Sequence, residues 1–236
     1  MDACSYLHKG ERLDDLRING LKIIQDPRLY CFSSDAVLLA DFAKARYNGV
    51  AADLGTGSGI VAFLLAAKTK ARTIYGIEIQ EGLCDTARRS AELNGLDGRV
   101  KIICGDMKDA YKLIGAESCD VVTVNPPYRP DGSGDKSAKN ESVRLARHEI
   151  AIDLQGAAES AARLLKFGGR LYMIHQSQRT DDIFRALDKN NIAVKVMRFV
   201  QPTPQKPPHL VLIEGLRGGR SGVKVLPNLV ISESNR

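Results

Sequence analysis

From Val50 onward the chain alternates short runs of β-branched and small apolar residues with stretches whose apolar positions recur at helical spacing. Val50–Leu54, Thr73–Ile79, Val100–Cys104, Asp120–Val124 and Arg170–His175 read as strands. Ser58–Ala67, Glu81–Asn94 (closed by Gly95), Asp153–Leu165 (ended by Gly168-Gly169) and Thr180–Asn190 read as helices. Strand and helix in strict alternation predict an α/β fold around a mostly parallel, doubly wound sheet. Ile192–Val200 and His209–Glu214 follow with no helix between them, so they are expected as an antiparallel pair at one edge. Upstream, Leu16–Gln25 places Asn19-Gly20 between two apolar-rich runs and predicts a β-hairpin. Ser34-Asp35 ahead of AVLLADFAK predicts the capped start of a short apolar helix. Together these elements describe one domain, 1–236, with a hairpin-and-helix extension over 1–49 and a core over 50–236. The polar stretch Arg129–Asn140 (RPDGSGDKSAKN) is expected to be a functional or disordered loop.

A chain of 236 residues, 44% of them hydrophobic, buries enough surface to fold without a disulfide or structural metal. Its five cysteines are odd in number and never spaced as CxxC, which argues against a secreted disulfide framework and against a zinc ribbon. A reducing, cytoplasmic setting is the expectation. The first residues are charged, with no signal-peptide pattern, and the longest apolar run, 60–67, falls far short of the roughly 20 residues that span a bilayer. The net charge of +6 is unevenly placed: residues 1–125 carry 16 basic against 17 acidic side chains, residues 126–236 carry 18 against 11. Between Lys189 and Lys224 seven cations face Glu214 alone. That run is either a polyanion-binding edge or a solvated face.

The chemistry concentrates at predicted strand ends. Asp53-Leu54-Gly55-Thr56-Gly57-Ser58-Gly59 forms a glycine-rich strand-to-helix turn, where backbone approaches a ligand closely and a helix presents free N–H groups. Ile60 stands where a dinucleotide fingerprint has its third glycine, which disfavours a nicotinamide dehydrogenase. Glu78 ends the next strand, and Asp106 follows the third. Each alone is either a solvated strand-end acid or a ligand acceptor, but three acids around one glycine turn suit a nucleoside cofactor. Asn125-Pro126-Pro127-Tyr128 follows the fourth strand. Two prolines fix the chain and remove two backbone donors, so the Asn125 side chain and the Pro126 carbonyl converge on one spot, beside an aromatic ring suited to stacking on a planar substrate. Two acceptors aimed at one exocyclic amine stabilise the positive charge that develops on nitrogen as it is alkylated. NPPY resembles the motif of amino-methyltransferases that act on adenine N6, guanine N2 or a glutamine amide; it specifies a planar amine, not which one, and requires no metal.

These elements resemble the class I S-adenosylmethionine (AdoMet)-dependent methyltransferases, which have a Rossmann-like, seven-stranded sheet. The resemblance implies that Gly55, Thr56, Gly57 and Gly59 approach the amino-acid end of AdoMet, supported by Asp53. It implies that Glu78 holds the ribose, that Asp106 with Met107 holds the adenine, and that Asn125 closes the site. Phe32–Leu39 (FSSDAVLL) looks like the upstream motif of amino-methyltransferases, placing Ser34 and Asp35 over the methionine end. Over nearly its whole length the chain resembles the bacterial tRNA1(Val) adenine-37 N6-methyltransferase family, through ERLDDLRINGLKIIQDPRLYCFSSDAVLLADFA, DLGTGSGI, GIEIQ, NPPY, RLARHEI and LVLIEGLRGGR. That family implies a tRNA partner.

Arg144 and Arg147 then contact phosphate or line a solvated helix face. His148 orders the preceding loop or is structural. Lys195, Arg198, Lys206, Arg217 and Arg220 would grip an RNA stem if their edge lies beside the NPPY cleft. The competing readings are an NPPY-type enzyme for an rRNA base, a protein glutamine or a small amine, and a non-catalytic RNA-binding module. The length is short for the accessory domains of the glutamine- and guanine-modifying relatives. Between monomer and weak dimer the sequence does not choose.

Overall fold

The computed structural model describes residues 3–126 and 154–231. Five parallel strands build the centre: β3 (Val50–Leu54), β4 (Thr73–Glu78), β5 (Val100–Cys104), β6 (Cys119–Val124) and β7 (Leu165–Gln176). They lie in the order β5-β4-β3-β6-β7, so the order reverses between β3 and β6. In an open α/β sheet the crevice at such a reversal is where ligands bind. β8 (Ile192–Gln201) and β9 (Leu210–Arg217) pair antiparallel, as expected. The pair lies at one edge of the sheet as expected, with β9 between β7 and β8 and antiparallel to both. Two short strands that the sequence did not reveal, β10 (Lys224–Val225) and β11 (Leu229–Val230), pair in parallel with β8 and cover that edge.

Strand alternation distributes the core over both sheet faces. Ala52, Leu54, Val122, Val124, Leu171 and Met173 pack with helices Leu154–Leu164 and Thr180–Lys189. Their neighbours Ala51, Val121, Tyr172 and Ile174 pack on the other face with helices Ser34–Phe42 and Ile60–Lys68. The fifth strand of the sequence reading starts earlier than expected. The helix ends at Leu164, and Gly168 (φ 77°) and Gly169 lie inside β7, where the register against β6 shifts between Cys119 and Val121. A Cβ on Gly169 would stand 2.9 Å from the Lys166 carbonyl, so this bulge requires glycine. The segment Met107–Asp109 and the helix Ala110–Ile114 also went unpredicted.

The N-terminal hairpin pairs β1 (Arg12–Asp15) with β2 (Lys22–Gln25). Asn19 and Gly20 both have positive φ (49° and 70°), and Leu21 N–H donates to the Ile18 carbonyl at 2.9 Å, as a type I′ turn requires. β2 buries Ile23 and Ile24 and docks on helix Glu81–Leu93, where Ile24 N–H donates to Ser90 Oγ at 2.9 Å. Asn94 exchanges two hydrogen bonds with the Lys22 backbone. Arg89 pulls the segment before β1 onto the same helix by donating to Glu11 and to the Tyr6 carbonyl.

Candidate active site

The register fixes the site before any side chain is considered. Leu54 pairs with Ile77 and with Val124, and Glu78 with Cys104. Gly55, Glu78, Gly105 and Asn125 therefore leave the sheet along one carboxyl-terminal edge, at the topological reversal. Gly55 and Thr56 donate their N–H groups to the Ile77 carbonyl (2.8 and 3.0 Å), and Gly105 N–H donates to the Glu78 carbonyl (2.8 Å), which lashes the three strand exits together.

The turn between β3 and helix Ile60–Lys68 winds through left-handed Gly55, Gly57 and Gly59 (φ 69°, 58° and 93°). Two of these glycines answer different needs. A Cβ at Gly59 would meet the Phe63 ring at 2.7 Å, so this position is closed by packing. A Cβ at Gly57 would meet nothing within 4 Å, so this backbone faces open space. We expect Gly57→Ala to fold, with a strain of about 1 kcal/mol from the left-handed backbone, yet to lose AdoMet affinity by tenfold or more. Calorimetric titration beside a denaturation curve checks both halves.

Glu78 is 4% exposed, and its carboxylate is held at both oxygens: Oε2 accepts from Gly57 N–H at 2.9 Å and Oε1 from Gln80 N–H at 3.0 Å. Burial raises its pKa, and the backbone N–H bonds oppose the rise. An acid oriented in this way keeps lone pairs for further donors, as vicinal hydroxyls supply. Asp53 lies deeper. Its Oδ1 accepts from Thr123 Oγ1 at 2.6 Å, while Oδ2 and the hydroxyl of Thr56 are buried with no hydrogen-bond partner among the described residues. Burial pushes the Asp53 carboxyl up to about 6, against the Thr123 hydrogen bond and with help from the Glu78 charge; Thr56 stands close but outside hydrogen-bond geometry. Orphaned polar atoms under a glycine turn, an open face at Gly57 and a pre-oriented Glu78 fit the methionine-to-ribose half of AdoMet.

Beyond β5, Asp106 is half-buried, and its Oδ1 caps the turn Met107–Asp109 by accepting from Lys108 N–H at 2.8 Å. Met107 is buried and its Cε lies 3.1 Å from where a Gly55 Cβ would be, so it forms the floor beneath the glycine turn. Ile79, 47% exposed directly after Glu78, lies beyond the end of β4 and presents an apolar surface where the apolar pattern predicts strand. Its signal was there: a large aliphatic residue just beyond a strand-end acid.

Ser34 and Asp35 occupy the first turn of helix Ser34–Phe42, but the capping position is Ser33 and no side chain closes the cap. The expected capping role is thus corrected by one residue, because the helix opens at Ser34 itself. Asn125 is partly exposed and Pro126 buried at the exit of β6. Pro127, Tyr128, the stretch Arg129–Asn140, Arg144, Arg147 and His148 lie outside the described residues.

The basic run divides. Lys206 lies in the β8–β9 connection, on the same sheet edge as Asn125. Arg217 does not: β9 runs antiparallel to β7, with Gln176 opposite Leu210 and Arg170 opposite Leu216, so the strand delivers Arg217 to the opposite edge. There its guanidinium is bound by Glu117 (2.8 Å) and the Leu165 carbonyl. Lys195 donates to the Arg220 carbonyl at 3.1 Å and Arg198 to the Pro227 carbonyl at 3.0 Å, tying down the chain around β10 and β11. The expected single RNA-holding edge beside Asn125 is corrected for Arg217, and Lys195 and Arg198 have structural partners.

The chain matches the family model "Methyltransferase small domain" over residues 31–199. A Porphyromonas gingivalis protein named tRNA1(Val) (adenine(37)-N6)-methyltransferase is 29% identical over 187 residues, covering 77% of this chain and 72% of the relative. One of the same name from Tolumonas auensis is 26% identical over 192 residues, covering 81% and 78%. Among solved structures, a predicted O-methyltransferase from Agrobacterium tumefaciens superposes with a TM-score of 0.67 at 20% identity, covering 84% of this chain and 88% of that one, and shares the fold. With the glycine turn, the strand-end acids and Asn125 on one edge of a Rossmann-like sheet, the chain belongs to the methyltransferase small-domain family.

Proposed function

We propose that this protein transfers the methyl group of AdoMet to the N6 amine of an adenine in tRNA, with position 37 of tRNA1(Val) as the target, in the cytoplasm. The observation that carries the reading is the register that sets Asn125 on one side of the glycine turn and Glu78 on the other, along one sheet edge. The names of these two relatives support the choice of tRNA and of adenine. We read the extension 1–49 and the core 50–236 as one catalytic unit, since β2 docks on the helix that follows Glu78.

Bound AdoMet supplies an electrophilic methyl on a sulfonium. Gly55, Thr56, Gly57 and Asp53 receive its amino-acid end, Glu78 its ribose hydroxyls, and Asp106, Met107 and Ile79 its adenine. Asn125 Oδ1 and the Pro126 carbonyl accept the two amine hydrogens of the substrate, so charge developing on nitrogen is met by fixed dipoles. Holding donor and acceptor in line supplies much of the acceleration. Because Pro127 follows it, Pro126 is restricted to extended ψ, which holds that carbonyl in place. Tyr128 is assigned to stacking on the extruded base, and Lys206 with the Arg144, Arg147 and His148 segment to the backbone phosphates.

The test incubates the purified protein with isotopically labelled AdoMet and unmodified tRNA, then digests the RNA for nucleoside mass spectrometry. Label is expected in N6-methyladenosine. Label confined to N2-methylguanosine or to protein would overturn the assignment.

A further inference from the structure

The hairpin contains a polar side chain that packing alone does not require. Gln25, the last residue of β2, is 1% exposed. A buried primary amide is costly unless its donors and acceptor are used, and this one is directed to two separate parts of the cofactor site. Its Nε2 donates to Ser58 Oγ at 2.7 Å and to the Ile24 carbonyl at 3.2 Å; its Oε1 accepts from Phe32 N–H at 3.2 Å. Ser58, itself buried, sits between left-handed Gly57 and Gly59, and Gly57 N–H is one of the two groups that orient Glu78, the one holding Oε2. Phe32 leads into Ser33 and helix Ser34–Phe42. The tight turn Asp26–Leu29, closed by Leu29 N–H to the Asp26 carbonyl (2.9 Å) and by the Arg28 guanidinium on the Asp26 carboxylate, folds the chain back so that Phe32 meets the amide.

We propose that Gln25 is a positioning residue for AdoMet: its amide sets the spacing between the glycine turn and the Phe32–Asp35 wall, and through Ser58 and Gly57 it fixes the orientation of Glu78. This rests on the reading of the site as an AdoMet pocket. It makes the hairpin a working part of the cofactor site, through a side chain that touches no substrate atom.

The test compares the full-length wild type with Gln25→Met, Ser58→Ala and the double variant. Gln25→Met keeps the shape and removes every hydrogen bond; Ser58→Ala deletes one hydroxyl and retains the fold test should the first variant be unstable. AdoMet and S-adenosylhomocysteine dissociation constants are measured by calorimetry, thermal midpoints by scanning fluorimetry, and kcat and KM with unmodified tRNA. For Gln25→Met the AdoMet dissociation constant and KM are expected to rise about tenfold, in line with the loss of a buried hydrogen bond. Its kcat at saturating AdoMet and its KM for tRNA should stay within about threefold. Ser58→Ala should lose affinity too, and the double variant should lose no more than Gln25→Met, because both act through one bond. Lower thermal midpoints with unchanged AdoMet affinity, or additive losses in the double variant, would overturn the proposal. A wild type that binds no AdoMet would instead overturn the function proposed above, and this inference with it.

Discussion

Asn125→Ala is expected to reduce kcat by about 10²–10³-fold, the usual result of deleting one preorganised group that stabilises transition-state charge. AdoMet affinity should change by less than about threefold. The separation follows from where Asn125 stands. The proposed cofactor contacts fall to the turn after β3 and to the ends of β4 and β5, whereas Asn125 leaves β6, across the reversal, and is assigned to the substrate. Its carboxamide oxygen matters little until the amine nitrogen begins to acquire positive charge, so its loss belongs in kcat. Asn125→Asp keeps an acceptor oxygen and should retain more activity than Ala. Single-turnover methylation with saturating enzyme, beside calorimetric AdoMet binding, measures the two effects apart. A loss of AdoMet affinity matching the loss of rate would reassign Asn125 to the cofactor.

The second large effect concerns stability and pH. Asp53 titrates in the folded protein at about 6 instead of 3.8, chiefly because it is buried. A carboxyl raised on folding binds its proton more tightly in the native state, so its favourable contribution is complete below pH 4 and is lost as pH rises through 6. His175, 2% exposed at the end of β7, works the other way. Burial lowers its pKa from 6.5 to about 4, so its contribution is complete above pH 6.5 and is lost as pH falls towards 4. Each shift corresponds to roughly 3 kcal/mol, and between pH 4 and 6 the two nearly cancel. Asp53→Asn keeps an acceptor for Thr123 and cannot ionise. The variant is expected to be more stable than wild type at pH 8, by up to about 3 kcal/mol. It should weaken steeply between pH 6.5 and 4.5, where the wild type stays nearly flat. Glu78, also raised by burial, is present in both proteins, and its charge is the smallest contribution to the Asp53 shift. Urea denaturation across this range decides the matter; parallel pH curves would mean that Asp53 is ionised without penalty in the native state.

Much of the site was legible because it is local. The glycine turn, Glu78 and Asn125 each announce themselves by what immediately precedes them, and parallel strands of equal phase carry such residues to one edge. Val50–Leu54 and Val100–Cys104 were read to the residue, since dense apolar runs ended by polar or glycine positions leave little freedom. Leu165-Lys166-Phe167 misled because an apolar-polar-apolar triplet continues a helix as readily as it opens a strand. The basic run misled for a different reason. Cations adjacent in sequence need not be adjacent in space: β9 separates Lys206 from Arg217 by the length of a strand. Gln25 was illegible in principle: nothing in KIIQDP foretells that its amide meets a serine 33 positions further along. Ile79 was visible, though only to a reader asking which apolar residues have no core to enter.

The position of β9 also constrains when the molecule can exist as a finished object. A chain emerging from its amino end can assemble β3 through β7 with their helices early, each strand adding to one already made. β8 has no permanent place until β9 arrives, because the later strand must enter between β7 and β8 and pair with both. Until then the open edge of β7 and the whole of β8 offer unpaired backbone to any neighbour. The insertion of β9 therefore joins β8 to the sheet, and β10 and β11, made later still, cover the outer side of β8. Chains halted before Leu210 should collect as aggregation-prone species that hold the cofactor turn yet cannot close.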